Sequence, residues 1–378
     1  MPDTRLVRTF LEPHHAHLAE RAGIFATAEI ATRPEPTDDA SAREEARALL
    51  RLLGGGGWLK PILDLDLRGC CLIREALAEA SPLADAVFAL QGLGTTPILL
   101  SGSAAQKERW LAPVAEGRLM TAFAMTEPEA GSDVASITTT ARRDGSGYVL
   151  TGTKTLISNA GIADLYTVFA STDRARGPKG ISCFLVPADT PGLRFVGPLV
   201  LSAPHPLGEL AFEDCRVPSE ALLGPEGRGF GIGLAALDRL RPTVAAAACG
   251  MATRALTEAL AHVKTRQQFG KPLATFQLVQ QKLARMATDL TAARLLVYRA
   301  AYEKDHGQER ITSEAAMAKS FATEMAQRAV DDAVQLIGGR GVLANHPVDR
   351  LYRAVRSLRI YEGTTEIQQL IIAGELLK

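Results

Sequence analysis

One segment of this chain departs from the pattern of all the rest, and that departure limits what it can fold into. From Thr121 to about residue 222, short runs rich in β-branched and aromatic residues alternate with turn residues. They are ITTTARR at 137–143, YVLTGTKTLIS at 148–158, YTVFA at 166–170, ISCFLV at 181–186, LRFV at 193–196 and ELAFEDCRV at 209–217. Asp144-Gly145-Ser146-Gly147, between the first two runs, has the make-up of a hairpin connection. On either side the spacing is helical. Residues 1–118 hold Ala- and Leu-rich stretches such as SAREEARALLRLL at 41–53 and CLIREALAEA at 71–80, interrupted at 34–39 and at Gly54 to Gly57. After Gly233, Val279, Leu283, Met286 and Leu290 fall at i, i+4, i+7 and i+11, and Met317, Phe321 and Met325 are spaced by four. The expected fold is a multidomain α+β protein with an N-terminal all-α domain (1–118), a middle β-sandwich or barrel (119–222) and a C-terminal four-helix bundle (223–378). Rossmann and TIM-barrel layouts are excluded, because they need helices and strands in alternation.

Composition removes several classes of function. Lys and Arg number 42 and Asp and Glu 42, so there is no basic footprint for nucleic acid and no polybasic membrane anchor. With 47% hydrophobic and 22% charged residues, the chain has the make-up of a folded globular protein. Its 378 residues can bury cores for about two to three domains without disulfide staples. Cys70, Cys71, Cys183, Cys215 and Cys249 are odd in number and share no repeated spacing, so they read as reduced core thiols rather than a zinc site or a redox pair. The opening MPDTRLVRTF lacks the apolar region of a secretory signal, and no run of eighteen or more apolar residues occurs. These features lead us to expect a cytoplasmic enzyme with neither a nucleic-acid nor a membrane partner. His14, His15 and His17 cluster on what reads as a mobile end without Cys or acidic ligands in a metal-binding pattern, and no metal site is expected. Gly224–Gly231 lacks a Lys-Ser/Thr ending and reads as a linker rather than a P-loop.

Five segments carry residues suited to chemistry. In Ala124–Asp133, Thr126 and Ser132 offer hydroxyls around Gly131, where backbone can approach a phosphate or a flavin edge closely; a plain domain-crossing loop would use the same residues. Thr155–Asn159 ends a β-run with Ser158, whose hydroxyl can donate to a planar cofactor nitrogen or simply open an Asn-Ala-Gly turn. Arg266, in Lys264–Gly270, is a planar multi-donor group suited to a pyrophosphate or to helix-end carbonyls. The glycines of Gln335–Gly341 follow a helix, where they admit a flat ligand or cap the helix. In Ile360–Gln368, Thr365 and Gln368 make a capping box for the last helix, which sets Glu362 just before a helix start, beside Tyr361 and Gly363. An aromatic wall there would desolvate the carboxylate, raise its pKa and fit it to remove a proton; a solvated glutamate is the plainer alternative.

Taken in order, Met125–Asp133, Phe212–Pro218, Leu237–Pro242, Arg266–Gly270, Gln335–Gly339 and Tyr361–Gln368 resemble the acyl-CoA dehydrogenase family from about residue 83 to the C-terminus. The resemblance implies that Glu362 takes the α-proton of an acyl-CoA thioester while the β-hydrogen leaves as hydride to N5 of FAD, giving the 2,3-enoyl product. It implies that the Glu362 N–H and a flavin ribityl hydroxyl stabilise the developing enolate. By the same correspondence Met125, Thr126, Leu156 and Ser158 meet the flavin ring, and Ser132 the cofactor or the thioester arm. Arg266, Phe269, Gln277, Gln335, Gly338 and Gly339, with Thr364 and Glu366 nearby, would hold the FAD diphosphate and adenosine, partly from a neighbouring subunit. Asp238 and Arg241, with Tyr361 and Gly363, would lie beside the substrate arm and the base. The shared cofactor implies a homo-oligomer, tetramer or dimer, and the implied electron acceptor is an electron-transferring flavoprotein. Some relatives carry their base in the helix of Leu237–Pro242, where this chain has Leu240, which cannot take a proton.

The chain also departs from the family pattern. Leu156 stands where many members have Trp, altering one wall of the flavin site, and the loop before Glu209 reads Leu201-Ser-Ala-Pro-His-Pro-Leu-Gly208 instead of carrying Gly-x-Arg and small hydroxylic residues. Pro-flanked His205 either reshapes the substrate mouth or belongs to a surface turn. The small Ala89 and Gly92, at positions matching the acyl-cavity floor, suggest room for a branched or cyclic group. Two alternatives follow from the departures: an oxidase-like or carrier-protein-linked acyl dehydrogenase, and a catalytically silent binding subunit.

Overall fold

The computed structural model describes residues 3–378 and divides the chain into two compact units. The helices are α1 (Pro13–Phe25), α2 (Asp39–Gly55), α3 (Lys60–Leu63), α4 (Leu67–Ala80), α5 (Pro82–Ser101), α6 (Ala104–Ala115), α7 (Gly229–Thr265), α8 (Gln277–Asp305), α9 (Thr312–Ile337), α10 (Pro347–Leu358) and α11 (Thr365–Leu376). The division falls inside α5 and α7, so the units do not follow the order of the chain.

The first unit holds residues 35–65 and 86–237 and contains the eight-stranded sheet. Its strands are β1 (Thr121–Ala124), β2 (Thr140–Asp144), β3 (Gly147–Ser158), β4 (Leu165–Ser171), β5 (Ile181–Pro187), β6 (Leu193–Pro198), β7 (Leu207–Pro218) and β8 (Leu222–Leu223). They run β6-β7-β3-β2-β4-β5-β8, with β1 added in parallel beside β4. Two four-stranded halves are therefore joined only at Thr140↔Ser171, which is how a sandwich or barrel turns its corner. The β2–β3 hairpin closes at Asp144↔Gly147, as its Gly-rich turn predicts. Ile98, Met125, Phe169, Cys183 and Leu185 lie in one buried cluster of this unit. The Gly54 to Gly57 interruption begins two residues later than expected, at Gly56, since α2 continues to Gly55. A Cβ on Gly54 would lie 2.3 Å from the Glu116 backbone, so this close approach demands glycine.

The second unit comprises the described residues up to Pro34, Asp66–Asp85 and Asp238–Lys378. The expected C-terminal helical domain is built from α7 to α11, with α9 packed against α8, α10 and α11. The expected α8 stripe is graded: Met286 and Leu290 are buried, Val279 and Leu283 half-buried. On α9 the buried face is Ala315, Ala318, Lys319, Ala322, Met325 and Ala326, whereas Met317 and Phe321 lie beside it. Small residues on α7, Ala245 to Ala248 and Gly250, are fully buried or nearly so, and a Cβ on Gly250 would lie 2.2 Å from the Glu75 carbonyl oxygen of α4. Two ion pairs are sealed in the same core. Arg74 makes a bidentate pair with Asp85 at 2.7 and 2.8 Å and donates to Thr243, and Glu75 accepts from Arg294 at 2.7 Å and from Tyr298 at 3.0 Å.

All five cysteines are free and buried. Helix α5 is long and apolar enough to cross a membrane by composition alone, but its most apolar stretch is mostly buried within the protein. The N-terminal histidines correct the expectation of a mobile end, since they lie in α1. His15 is buried, its Nδ1 accepts the Glu12 N–H at 3.1 Å, and its Nε2 faces Asp66 at 3.1 Å. Both ring nitrogens are thus used in capping and pairing, although His14 and Asp66 are close enough to share an ion with it.

Candidate active site

In the helical unit the site is built on the turn between α10 and α11. Glu362 and Gly363 both take positive φ, 54° and 92°, a combination that costs a glutamate free energy and persists only where its surroundings hold it. They are held through their carbonyls. Glu362 O accepts from Arg241 Nε and Gln368 Nε2, each at 3.3 Å, and Gly363 O accepts from Lys319 Nζ at 2.7 Å and Gln368 Nε2 at 3.0 Å. Glu324 of α9 clamps the flanks, accepting from Arg359 Nε at 2.6 Å and Thr365 Oγ1 at 2.8 Å.

The Glu362 side chain is treated differently from its backbone. Oε2 is buried and has no hydrogen-bond partner, and the Glu362 N–H makes no hydrogen bond among the described residues. Burial raises the pKa of the carboxyl; Arg74, Lys319 and Arg241 oppose this and Asp85 adds to it. Lys319 is fully buried, and burial brings its ammonium down to about 8 against the pull of Glu362. Arg241 also donates to Asp238 at 3.2 Å, and Asp238 accepts from Thr312 at 2.9 Å, so both of these predicted residues brace the turn. Tyr361 keeps 38% of its surface exposed while burial raises the pKa of its phenol, consistent with a wall beside the carboxylate.

In the β unit, the 125–127 segment is tied to the end of β3. Thr155 N–H donates to Thr126 O at 3.1 Å, and Lys154 Nζ donates to Met125 O at 3.0 Å and Glu127 Oε1 at 2.7 Å. Glu127 also accepts from the Thr138 N–H and hydroxyl at 2.5 and 2.8 Å and from the Thr139 N–H at 3.0 Å. These four donors and the Lys154 charge outweigh burial and hold its carboxyl at about 2. The staple brings Met125 and Thr126 against Lys154 and Thr155, the residues that precede Leu156 and Ser158 on β3. Leu156 has φ 55° and is 56% exposed, and Asn159 has φ 64°, so the strand end forms an irregular ledge. Ser158 is not free: its Oγ lies 2.8 Å from His205 Nε2. His205 is therefore held against the end of β3.

The other predicted cofactor residues lie on turns and near helix ends. Arg266 follows α7, and Phe269, with φ 53° and 91% exposure, tips the turn of the β9 (Gln267–Gln268) and β10 (Lys271–Pro272) hairpin; Gln277 opens α8. Gly338 caps α9 with φ 69°, and a Cβ on Gly338 or Gly339 would meet nothing within 4 Å, so the helix cap also leaves an open surface. Gln335, Glu366 and Ser132 are exposed, and Thr364 is half-buried. One local expectation is corrected: the N-cap of α11 is Thr364, whose Oγ1 accepts the Ile367 N–H at 3.3 Å, and no Thr365–Gln368 capping box forms. Gln368 instead turns back to the 362–363 carbonyls, because a buried amide there satisfies two acceptors at once.

Sequence reasoning missed Lys319, Arg74 with Asp85, and the Lys154–Glu127 pair. Lys319 had a usable signal, since it sits on the Ala315, Ala318 and Ala322 face of its helix, where a lysine has no solvent. The paired residues lie 11 and 27 positions apart and carry no local signature.

Each unit by itself offers groups that fit part of a flat, anionic cofactor: in the β unit the Thr126 and Ser158 hydroxyls suit the polar edge of a ring, and in the helical unit Arg266 and the open Gly338 and Gly339 suit a phosphate. Comparison with known proteins defines the class as an oxidoreductase. The profile described as "Acyl-CoA dehydrogenase, N-terminal domain" matches residues 12–118, that of the middle domain 122–215, and that of the C-terminal domain 227–377. The chain belongs to the acyl-CoA dehydrogenase family. It is 43% identical over 316 residues to 3-(aryl)acrylate reductase of Clostridium sporogenes, covering 83% of this chain and 84% of that one. Butyryl-CoA dehydrogenase of Megasphaera elsdenii has the same fold, with a TM-score of 0.91, 36% identity and coverage of 97% of this chain and 99% of that one. PigA, whose structure holds FAD and proline, matches with a TM-score of 0.88 and 29% identity, covering 97% of this chain and 98% of that one.

Proposed function

We propose that this protein binds FAD and oxidises the Cα–Cβ bond of an acyl thioester, with Glu362 as the base that takes the α-proton. The observation that carries the reading is the unpartnered, buried Oε2 of Glu362 on a turn where the surrounding donors go to the backbone carbonyls of residues 362 and 363. A carboxylate without donors keeps its basicity, and burial shifts its pKa toward the working pH. The Glu362 N–H, which makes no hydrogen bond among the described residues, can donate to a thioester carbonyl as enolate charge develops. FAD, when bound, supplies the hydride acceptor. Met125, Thr126, Leu156 and Ser158 would meet its ring, and Ser132 its chain or the substrate arm. Arg266, Phe269, Gln277, Gln335, Gly338, Gly339, Thr364 and Glu366 would serve the diphosphate and adenosine. The 91% exposure of Phe269 supports a role for this group in a second copy of the chain, and hence a homo-oligomer. We assign the three segments 1–118, 119–222 and 223–378 as domains, an electron-transferring flavoprotein as acceptor and the cytoplasm as location, the last in keeping with five unbridged thiols.

Gly92 supports a cavity with room for a branched or cyclic acyl group, because a Cβ there would meet only Ile62, at 3.7 Å. Anaerobic mixing with a panel of short, branched, cyclic and aromatic acyl-CoAs tests the proposal. At least one should bleach the flavin, and Glu362→Gln should keep FAD while slowing bleaching by about 10²–10⁴-fold. Bleaching of the variant at the native rate would assign the base elsewhere. Exposed Leu156 favours a second reading, in which oxygen reoxidises the flavin or the acyl group rides on a carrier protein. Peroxide release and turnover with carrier-linked thioesters would separate that reading from the first.

A further inference from the structure

Two neighbouring features of the β unit meet at one hydroxyl. The last pair of the β3–β7 ladder is Ser158↔Leu207, and the loop that leads into β7 carries His205 with its Nε2 2.8 Å from Ser158 Oγ. That loop is fastened on both sides of the histidine. Asn159 N–H donates to Pro206 O at 2.9 Å, Leu199 N–H donates to Leu207 O at 3.0 Å, and Arg43 of α2 donates to Leu207 O at 2.8 Å and Ala160 O at 2.5 Å while pairing with Asp39 at 2.6 Å. Pro204 and Pro206 restrict the backbone on either side. The imidazole is therefore fixed at the end of a rigid loop and reaches Ser158 with one defined nitrogen. Burial and the nearby Arg43 charge bring its pKa down to about 4, so it is neutral near pH 7, with one ring nitrogen a donor and the other an acceptor.

A serine hydroxyl has one proton and can accept two hydrogen bonds. When Nε2–H donates to Oγ, the Ser158 proton is left for an acceptor on the ligand; when Nε2 accepts the Ser158 proton, Oγ is left to accept from a ligand N–H. Neither arrangement requires a side chain to move. We propose that His205 is a positioning residue that sets the direction of the Ser158 hydroxyl and so tunes how tightly the flavin is held. The inference rests on the reading that Ser158 faces FAD.

The test uses full-length protein stripped of FAD and titrated with it, followed by flavin fluorescence and the visible absorption band. Gln at 205 places its amide nitrogen near the position of Nε2, whereas the shorter Asn cannot reach. His205→Asn should weaken FAD binding about three- to tenfold and shift the flavin band, and His205→Gln should recover most of the loss. Ser158→Ala should weaken binding on its own, and His205→Asn should then add less than about twofold, because the two residues act through one hydroxyl. If His205→Asn binds FAD like the native protein while Ser158→Ala does not, the inference is overturned and the flavin site at Ser158 stands. If Ser158→Ala leaves both affinity and spectrum unchanged, the assignment of Ser158 to the flavin falls. An undiminished effect of His205→Asn in the Ser158→Ala background would also overturn the proposal.

Discussion

Glu127 and Glu362 both have buried carboxylate oxygens, yet the protein treats them in opposite ways. Glu127, in the β unit, accepts four hydrogen bonds, one of them from fully buried Lys154, and its carboxyl is held at about 2. Glu362, in the helical unit, has an oxygen with no partner and a raised pKa, although three cations lie near enough to oppose the rise. Burial alone therefore does not reveal what a carboxylate does. The number of donors reaching its oxygens separates a staple from a base. In the helical unit the available donors, Arg241, Lys319 and Gln368, are spent on the carbonyls of residues 362 and 363, which fixes the turn without quenching the acid.

The two carboxylates also respond to pH with opposite sign. The depressed value of Glu127 contributes stability that is present above the ordinary carboxylate range and is lost as pH falls toward 2. The raised value of Glu362 favours the neutral acid in the fold, so its contribution is lost as pH rises through the folded value.

The largest effect expected from this contrast is on stability. Lys154→Met leaves Glu127 charged, buried and short of its cation, and should cost about 3–5 kcal/mol in urea or thermal unfolding. A loss no larger than that of a surface substitution would mean that Glu127 is not a staple. The smaller effect sharpens the other half. Lys319→Met removes a cation that pulls the Glu362 pKa down, so the acidic limb of kcat/KM, already above the ordinary glutamate range, should move up by roughly one pH unit. Activity rises through that limb because the base must be ionised. A limb that stays in place or moves down would detach Lys319 from the base.

Much of this contrast was hidden from the sequence, though the architecture was not. Six β-runs between residues 137 and 217 each correspond to a strand, since β-branched residues bounded by turns signal their state locally. Strand β1 escaped because TAFA is short and half alanine, and its parallel pairing with β4 is made at long range. Glu362 could be singled out because its motif is contiguous, but what keeps it unpaired could not, since Lys319 and Arg241 reach the turn from distant helices. Gln368 misled as a capping residue because the same i, i+3 spacing serves a side chain that folds back instead. His205 stood out as a departure from a family pattern, yet its partner Ser158 lies 47 residues earlier and is reached only through the β3–β7 pairing.

The central claim, that Glu362 removes the α-proton, can be isolated from the oxidation that follows it. The protein is incubated in D2O with acyl-CoA thioesters that have α-hydrogens but no β-hydrogen, and loss of the α-proton signal is followed by NMR. If Glu362 removes the α-proton, exchange proceeds at a measurable rate with the native protein and falls by at least about 10²-fold with Glu362→Gln. Exchange by the variant at the native rate would contradict it.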